Sequence, residues 1–222
     1  MLNLVWSPVC FFDARRRRPP DWGTALAAPA LCAGLQSVSV SIFSDKTRPM
    51  VDSALARLDL PLTGLPSPHV FVAISALTYP AFFGLLTLAV LALDVLGKDA
   101  GQPTRLTEFT ALSFYTQVPY CLLMILIAWV WVPDPIRLPA GLSTAELLTQ
   151  VRDYQATLLS EPLLSTGRLL SYYSLVWLAA VLSIALKVVT GLSTRATVVM
   201  AIVLFTVCAA GPFLGAGVRL LL

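Results

Sequence analysis

Five stretches of this chain, 23–44, 70–93, 109–132, 169–186 and 196–218, contain no Asp, Glu, Lys or Arg. Each is at or near the ~20 residues that a helix needs to cross ~30 Å of hydrocarbon, and this pattern constrains the fold more than any other feature. Composition agrees: 57% of the 222 residues are hydrophobic and 12% are charged, against roughly 45–50% and about 25% in an average soluble domain. A water-soluble fold of this size cannot hide that much apolar surface. The sequence therefore predicts an all-α, polytopic transmembrane helical bundle of five spans, with short amphipathic helices at its interfaces.

Residues 1–22 read as a cytoplasmic or interfacial segment, and 23–222 as a single five-helix transmembrane domain. Trp6, Phe11 and Phe12 precede the basic run Arg15 to Arg18, and Pro19, Pro20 and Trp22 follow it, which suits an aromatic segment at headgroup level. The first span carries Pro29, Gln36 and four serines and should be shielded by neighbouring helices. A short helix, Val51 to Leu60, is expected before the Pro61, Pro66, Pro68 cluster. Pro80 and Gly84 mark a kink or a close-packing point in the second span. Trp129 and Trp131 close the third as an interfacial belt. Ser143-Thr144-Ala145-Glu146 matches a capping box, followed by Leu147, Val151, Tyr154 and Leu158, so 144–160 is expected to form an amphipathic segment outside the core. The last two spans form a tight hairpin across Lys187, Gly191 and Ser193-Thr194-Arg195.

The net charge is +3, and four of the fifteen basic residues lie in the Arg15–Arg18 run. Beside a span, such a run marks a cytoplasmic flank; a dedicated anionic-lipid or nucleic-acid patch is the alternative. If five spans alternate sides with the amino terminus inside, the inner segments collect Arg15, Arg16, Arg17, Arg18, Lys98, Arg105, Lys187 and Arg195. The outer ones then hold Lys46, Arg48, Arg57, Arg137, Arg152, Arg168 and Arg219. The basic excess and the shorter inner loops favour a cytoplasmic amino terminus. Cys10, Cys32, Cys121 and Cys208 are widely spaced and indicate neither a disulfide framework nor a metal site. The amino-terminal region lacks the pattern of a cleavable signal, so the first span is expected to be retained.

Motifs for catalysis are scarce. The single histidine, His69, lies in a proline-rich stretch without G-x-S-x-G, H-E-x-x-H or a Cys/His pairing. There is no P-loop or G-x-G-x-x-G, and the windows lack the buried charges typical of intramembrane proteases and ion-coupled carriers. Asp94 and Lys187 sit at span ends, where water or snorkelling satisfies them. No catalytic residue, cofactor or metal site is assigned, and nucleic acid is not an expected partner. Gly211, Gly215 and Ala216 place small residues along one face of the last span, suited to helix packing within the chain or against a partner. Gln117 and Pro119, with Ser113, Tyr115, Thr116 and Tyr120, make the start of the third span unusually polar. Helix-to-helix hydrogen bonding is the default account, and a small-molecule or lipid site is the alternative.

These residues carry a resemblance. Trp6-x-Pro8-x-x-Phe11 ahead of the first span resembles the short "P-x-x-F" lead of the bacterial branch of the Yip1 family. Glu108-Phe109, Ser113-Phe114-Tyr115 and Pro119 are similar to that family's aromatic-then-proline opening of the third span. Trp177 through Leu186-Lys187, Gly191-Leu192-Ser193 and Ala196 resemble its last two spans and their hairpin. The proline-rich 61–68 segment and the polar first span depart from the pattern. The resemblance implies five helices, a cytoplasmic amino terminus, no catalytic activity, and an accessory or scaffold role for other membrane machinery. Expected partners are membrane lipids, a membrane protein such as an ABC-type exporter, or a second copy in a homo-oligomer, in a bacterial inner membrane. A small transporter or channel subunit is the alternative.

Overall fold

The computed structural model describes residues 4, 6–56, 68–96, 103–134, 146, 149–150, 153–154, 157, 160–191, 193 and 195–206. Within them the chain forms helices α1 (Pro8–Arg16), α2 (Trp22–Ala56), α3 (Pro68–Leu96), α4 (Pro103–Ser113), α5 (Val118–Val130) and α6 (Pro162–Thr190). A 3₁₀ turn, Phe114–Gln117, joins α4 to α5, and a shorter apolar helix, α7, covers Arg195–Thr206. Among the described residues, four segments are long and apolar enough to cross a bilayer: Trp22–Pro49, Val72–Ala92, Pro103–Val130 and Pro162–Thr190. Hydrocarbon offers no partner to a bare peptide group, so a helix, which satisfies its backbone internally, is the form these windows take.

The helices extend beyond the charge-free windows. α6 starts seven residues before Leu169, with Pro162 in its first turn after Glu161, where a missing N–H costs nothing. It stops at Gly191, whose φ of 68° is left-handed and whose N–H bonds Lys187 O at 2.9 Å. α4 likewise begins at Pro103, six residues before Phe109. The part of the fifth window beyond Thr206, most of the segment 144–160 expected to be amphipathic, and Pro61 and Pro66 lie outside the described residues.

The turn between α4 and α5 follows from Pro119. A proline cannot donate to the carbonyl four residues back and its ring crowds that carbonyl. Here that group is Tyr115 O, and the Val118 N–H bonds it in 3₁₀ fashion instead. The tighter turn brings Phe114 into the bundle centre, where it is fully buried and meets Tyr79, Phe82 and Phe83 edge-on at centroid distances of 6.1, 5.8 and 5.9 Å. The Cys32 thiol donates to Phe114 O at 3.4 Å, tying α2 to the turn. Around it, Ala28, Leu86, Leu178 and Leu182 form the main core. A second core unites Phe12 of α1 with Phe109, Val181 and Ala185.

Two small-residue positions divide differently from the expectation. Gly84 faces open space, with no atom of the described residues within 4 Å of where a Cβ would stand, so it is not a close-packing point among them. Close approach occurs at Gly167, where a Cβ would stand 3.2 Å from both Met124 Sδ and Ile127 Cδ1. Trp129 is exposed as an interfacial tryptophan should be, but Trp131 is buried: its ring lies 5.3 Å from Phe43 and its indole N–H donates to Glu161.

Candidate functional site

Polar groups inside or beside the bundle gather at three levels. At one end stands Glu108, on the second turn of α4 and fully buried. Its Oε1 accepts from Arg15 Nε at 2.9 Å, Arg15 Nη2 at 2.8 Å and the Asp21 N–H at 3.1 Å. Its Oε2 accepts from Arg105 Nη1 at 3.0 Å. The two arginine side chains are themselves 18% and 15% exposed, so the whole group is largely removed from water. Removing a carboxylate from solvent is costly unless its lone pairs find donors, ideally cationic ones, and Glu108 has both.

The sequence folds to this arrangement because Pro103 starts α4 early enough to put Arg105 and Glu108 one turn apart on the same face. The α1 helix supplies Arg15 opposite them, held by Phe12 packed at a tilt against Phe109 with a centroid distance of 4.7 Å. Arg105 also reaches the Arg18 carbonyl, and Arg16 donates to Val188 O in the last turn of α6 at 2.7 Å. Asp21 caps α2: Thr24 Oγ1 donates to its Oδ2 at 2.6 Å and the Thr24 N–H to its Oδ1 at 3.1 Å. Those two bonds, the side-chain one first, hold the Asp21 carboxyl below its usual pKa, with a further contribution from Arg15. Chemically, the cluster is a clamp that joins α1, the 17–21 connection, α4 and the end of α6.

The middle level holds Gln117, 2% exposed. Its Nε2 donates to Ser174 O at 2.8 Å and its Oε1 accepts from Ser174 Oγ at 3.1 Å, so the helix-to-helix bonding expected of this residue is made within the chain. Tyr79 Oη and Cys121 Sγ lie 3.1 Å apart nearby. At the far end, Lys46 Nζ donates to Trp129 O at 2.6 Å and also to Trp131 O. A cation there satisfies the last carbonyls of α5 and complements the helix dipole.

Of the residues singled out from the sequence, the structure separates Gln117 from Pro119. Gln117 points into the α5–α6 contact, whereas Pro119 is exposed on the outer side. Gly211, Gly215 and Ala216 lie outside the described residues. His69 belongs to the first turn of α3. Sequence reasoning missed the role of Glu108, which it named only beside Phe109 at the opening of the third span. The available signal was Pro103 as a helix start, with Arg105 and Glu108 three apart behind it.

The model of the Yip1 domain matches residues 3–215, from before α1 to beyond the last described helix. The chain belongs to the Yip1 family. No curated protein and no solved structure matches it significantly. Within this Yip1 domain, the amino-terminal Pro8 and Phe11 belong to α1, the helix that the Glu108 clamp fastens to the bundle. Glu108-Phe109 supplies both the clamp's acceptor and the ring on which Phe12 rests. Pro119 creates the 3₁₀ turn that centres Phe114. The amino-terminal lead and the third-span opening are thus two halves of one tertiary contact.

Proposed function

We propose that this Yip1-domain protein is a non-enzymatic accessory or scaffold for other membrane machinery, either an export system of the ABC type or membrane trafficking. It sits in a bacterial inner membrane with its amino terminus in the cytoplasm and works by lateral association. The observation that best supports this reading is how polar and apolar groups divide between the inside and the outside of the bundle. Glu108, Gln117, Ser174 and Lys46 bond to the chain's own helices. The outer side of α5 presents Pro119, Leu122, Leu126 and Trp129 at helical spacing, exposed to whatever lies beside it. Such a ridge can pack against a partner's helix through van der Waals fit.

Purification of the full chain in mild detergent tests this. A scaffold retains a membrane-protein partner at fixed stoichiometry, whereas a monodisperse, partner-free preparation that moves a solute across liposomes contradicts it. The second reading, a small transporter or channel subunit, has one observation in its favour. Gln36 Oε1 on α2 and Thr87 Oγ1 on α3 are buried atoms with no hydrogen-bond partner among the described residues, and a hydrated path would supply one. Solute flux that falls in Gln36→Leu would favour this second reading.

A further inference from the structure

The clamp uses part of the arginine run and leaves the rest facing outward. Arg15 is committed to Glu108 and Arg16 to the Val188 carbonyl. Arg105 holds the Arg18 carbonyl, which fixes the backbone at the end of the run but leaves the Arg18 guanidinium free. Arg18 is exposed and has no side-chain partner among the described residues. Among the described residues Arg17 bonds only Asp13, one turn back at 3.0 Å, with 78% of its side chain in the open. Between them lies a hollow of about 440 Å³ lined by Cys10, Asp13, Ala14, Arg17 and Arg18.

The same end of the molecule exposes apolar side chains: Val9 on α1 is 55% exposed and Trp6, just ahead of it, 81%. The span helix α2 begins at Trp22, four residues after Arg18. Guanidiniums with an indole and a valine beside a span helix suit the boundary between headgroups and acyl chains. We propose that Arg17 and Arg18 bind the phosphate of an anionic phospholipid headgroup. The exposed Trp6 and Val9 favour a lipid over free phosphate, because a soluble anion would leave them in water. Asp13 leaves a carboxylate acceptor on the rim, so a headgroup with hydroxyls beside its phosphate, such as phosphatidylglycerol, meets both signs of charge.

Native mass spectrometry of the full chain, released from micelles doped with phosphatidylglycerol or phosphatidylcholine, tests the site. Wild type should retain phosphatidylglycerol preferentially and lose it as ionic strength rises. The double variant Arg17→Gln with Arg18→Gln should bind it about 25-fold more weakly, from about fivefold per arginine. Arg195→Gln, at an exposed arginine on α7, should not change retention. Equal retention of the two lipids, salt-independent retention by wild type, an unaffected double variant, or an equal loss in Arg195→Gln would each overturn the proposal. So would displacement of the lipid by inorganic phosphate, which would make this a general anion site. The salt titration uses wild type alone, so it decides the matter even if the double variant does not fold.

Discussion

A carboxylate with no solvent exposure persists only while donors surround it, and Glu108 has four such bonds from three partners. Glu108→Ala would leave Arg15 and Arg105 largely buried without a counter-charge, and removing one member of a buried pair typically costs about 3–5 kcal/mol. The expected outcome is a matching loss of stability in denaturant titrations in detergent, with faster tryptic cleavage at the Arg15–Arg18 run as α1 detaches. Gln117 and Ser174 exchange bonds in the bundle interior, where such pairs contribute about 0.6–2 kcal/mol; a double-mutant cycle of Gln117→Leu with Ser174→Ala should return coupling of that size. Asp21 gives a pH signature. Its pKa is lowered in the folded chain, so its cap contributes above the ordinary carboxylate range and is lost as pH falls through the lowered value. Asp21→Asn should flatten the acid limb of the melting-temperature profile. The helix-to-helix bonding of Gln117 was legible in the sequence; the roles of Glu108 and Asp21 were not, because charges mark where an apolar window stops and not where its helix starts. Glu108 lies one residue outside the 109–132 window, although α4 begins at Pro103.

Elements were easier to read than their contacts. Long charge-free windows foretold the helices α2, α3, α4–α5 and α6, whereas the 3₁₀ turn ahead of Pro119 emerged only in the structure. Glycines were harder, since a small residue for packing and one facing lipid look alike until the neighbouring helix is placed. Pro80 and Gly84 were expected to mark a kink or a close-packing point, yet Gly84 faces open space among the described residues, while Gly167 sits against Met124 and Ile127. Gly167→Leu should therefore cost about 1–3 kcal/mol through overpacking, and Gly84→Leu should leave the unfolding midpoint in detergent essentially unchanged. The opposite ranking would mean that α5 and α6 do not meet at Gly167. Trp131 makes a similar point: two tryptophans two residues apart read as one belt, but Glu161 and Phe43 draw the second indole inward.

At the scale of the molecule, fold class was legible because hydrocarbon acts on composition directly: an apolar window of spanning length admits few structures. Function was less legible, because a leucine facing lipid and one facing a partner's helix obey the same composition rule. The clamp at the Glu108 end and the Lys46 cap at the other tie helices together, and apolar side chains stay exposed on the outer sides of α5 and α6. The most direct measurement is partner stoichiometry after purification in mild detergent, compared between wild type and the outward-facing double variant Leu122→Ala with Leu126→Ala. The scaffold account predicts that wild type carries a membrane-protein partner at fixed ratio, and that the variant loses it while melting at an unchanged temperature. A partner-free wild type that transports solute in liposomes, or a variant that keeps its partner undiminished, would contradict it.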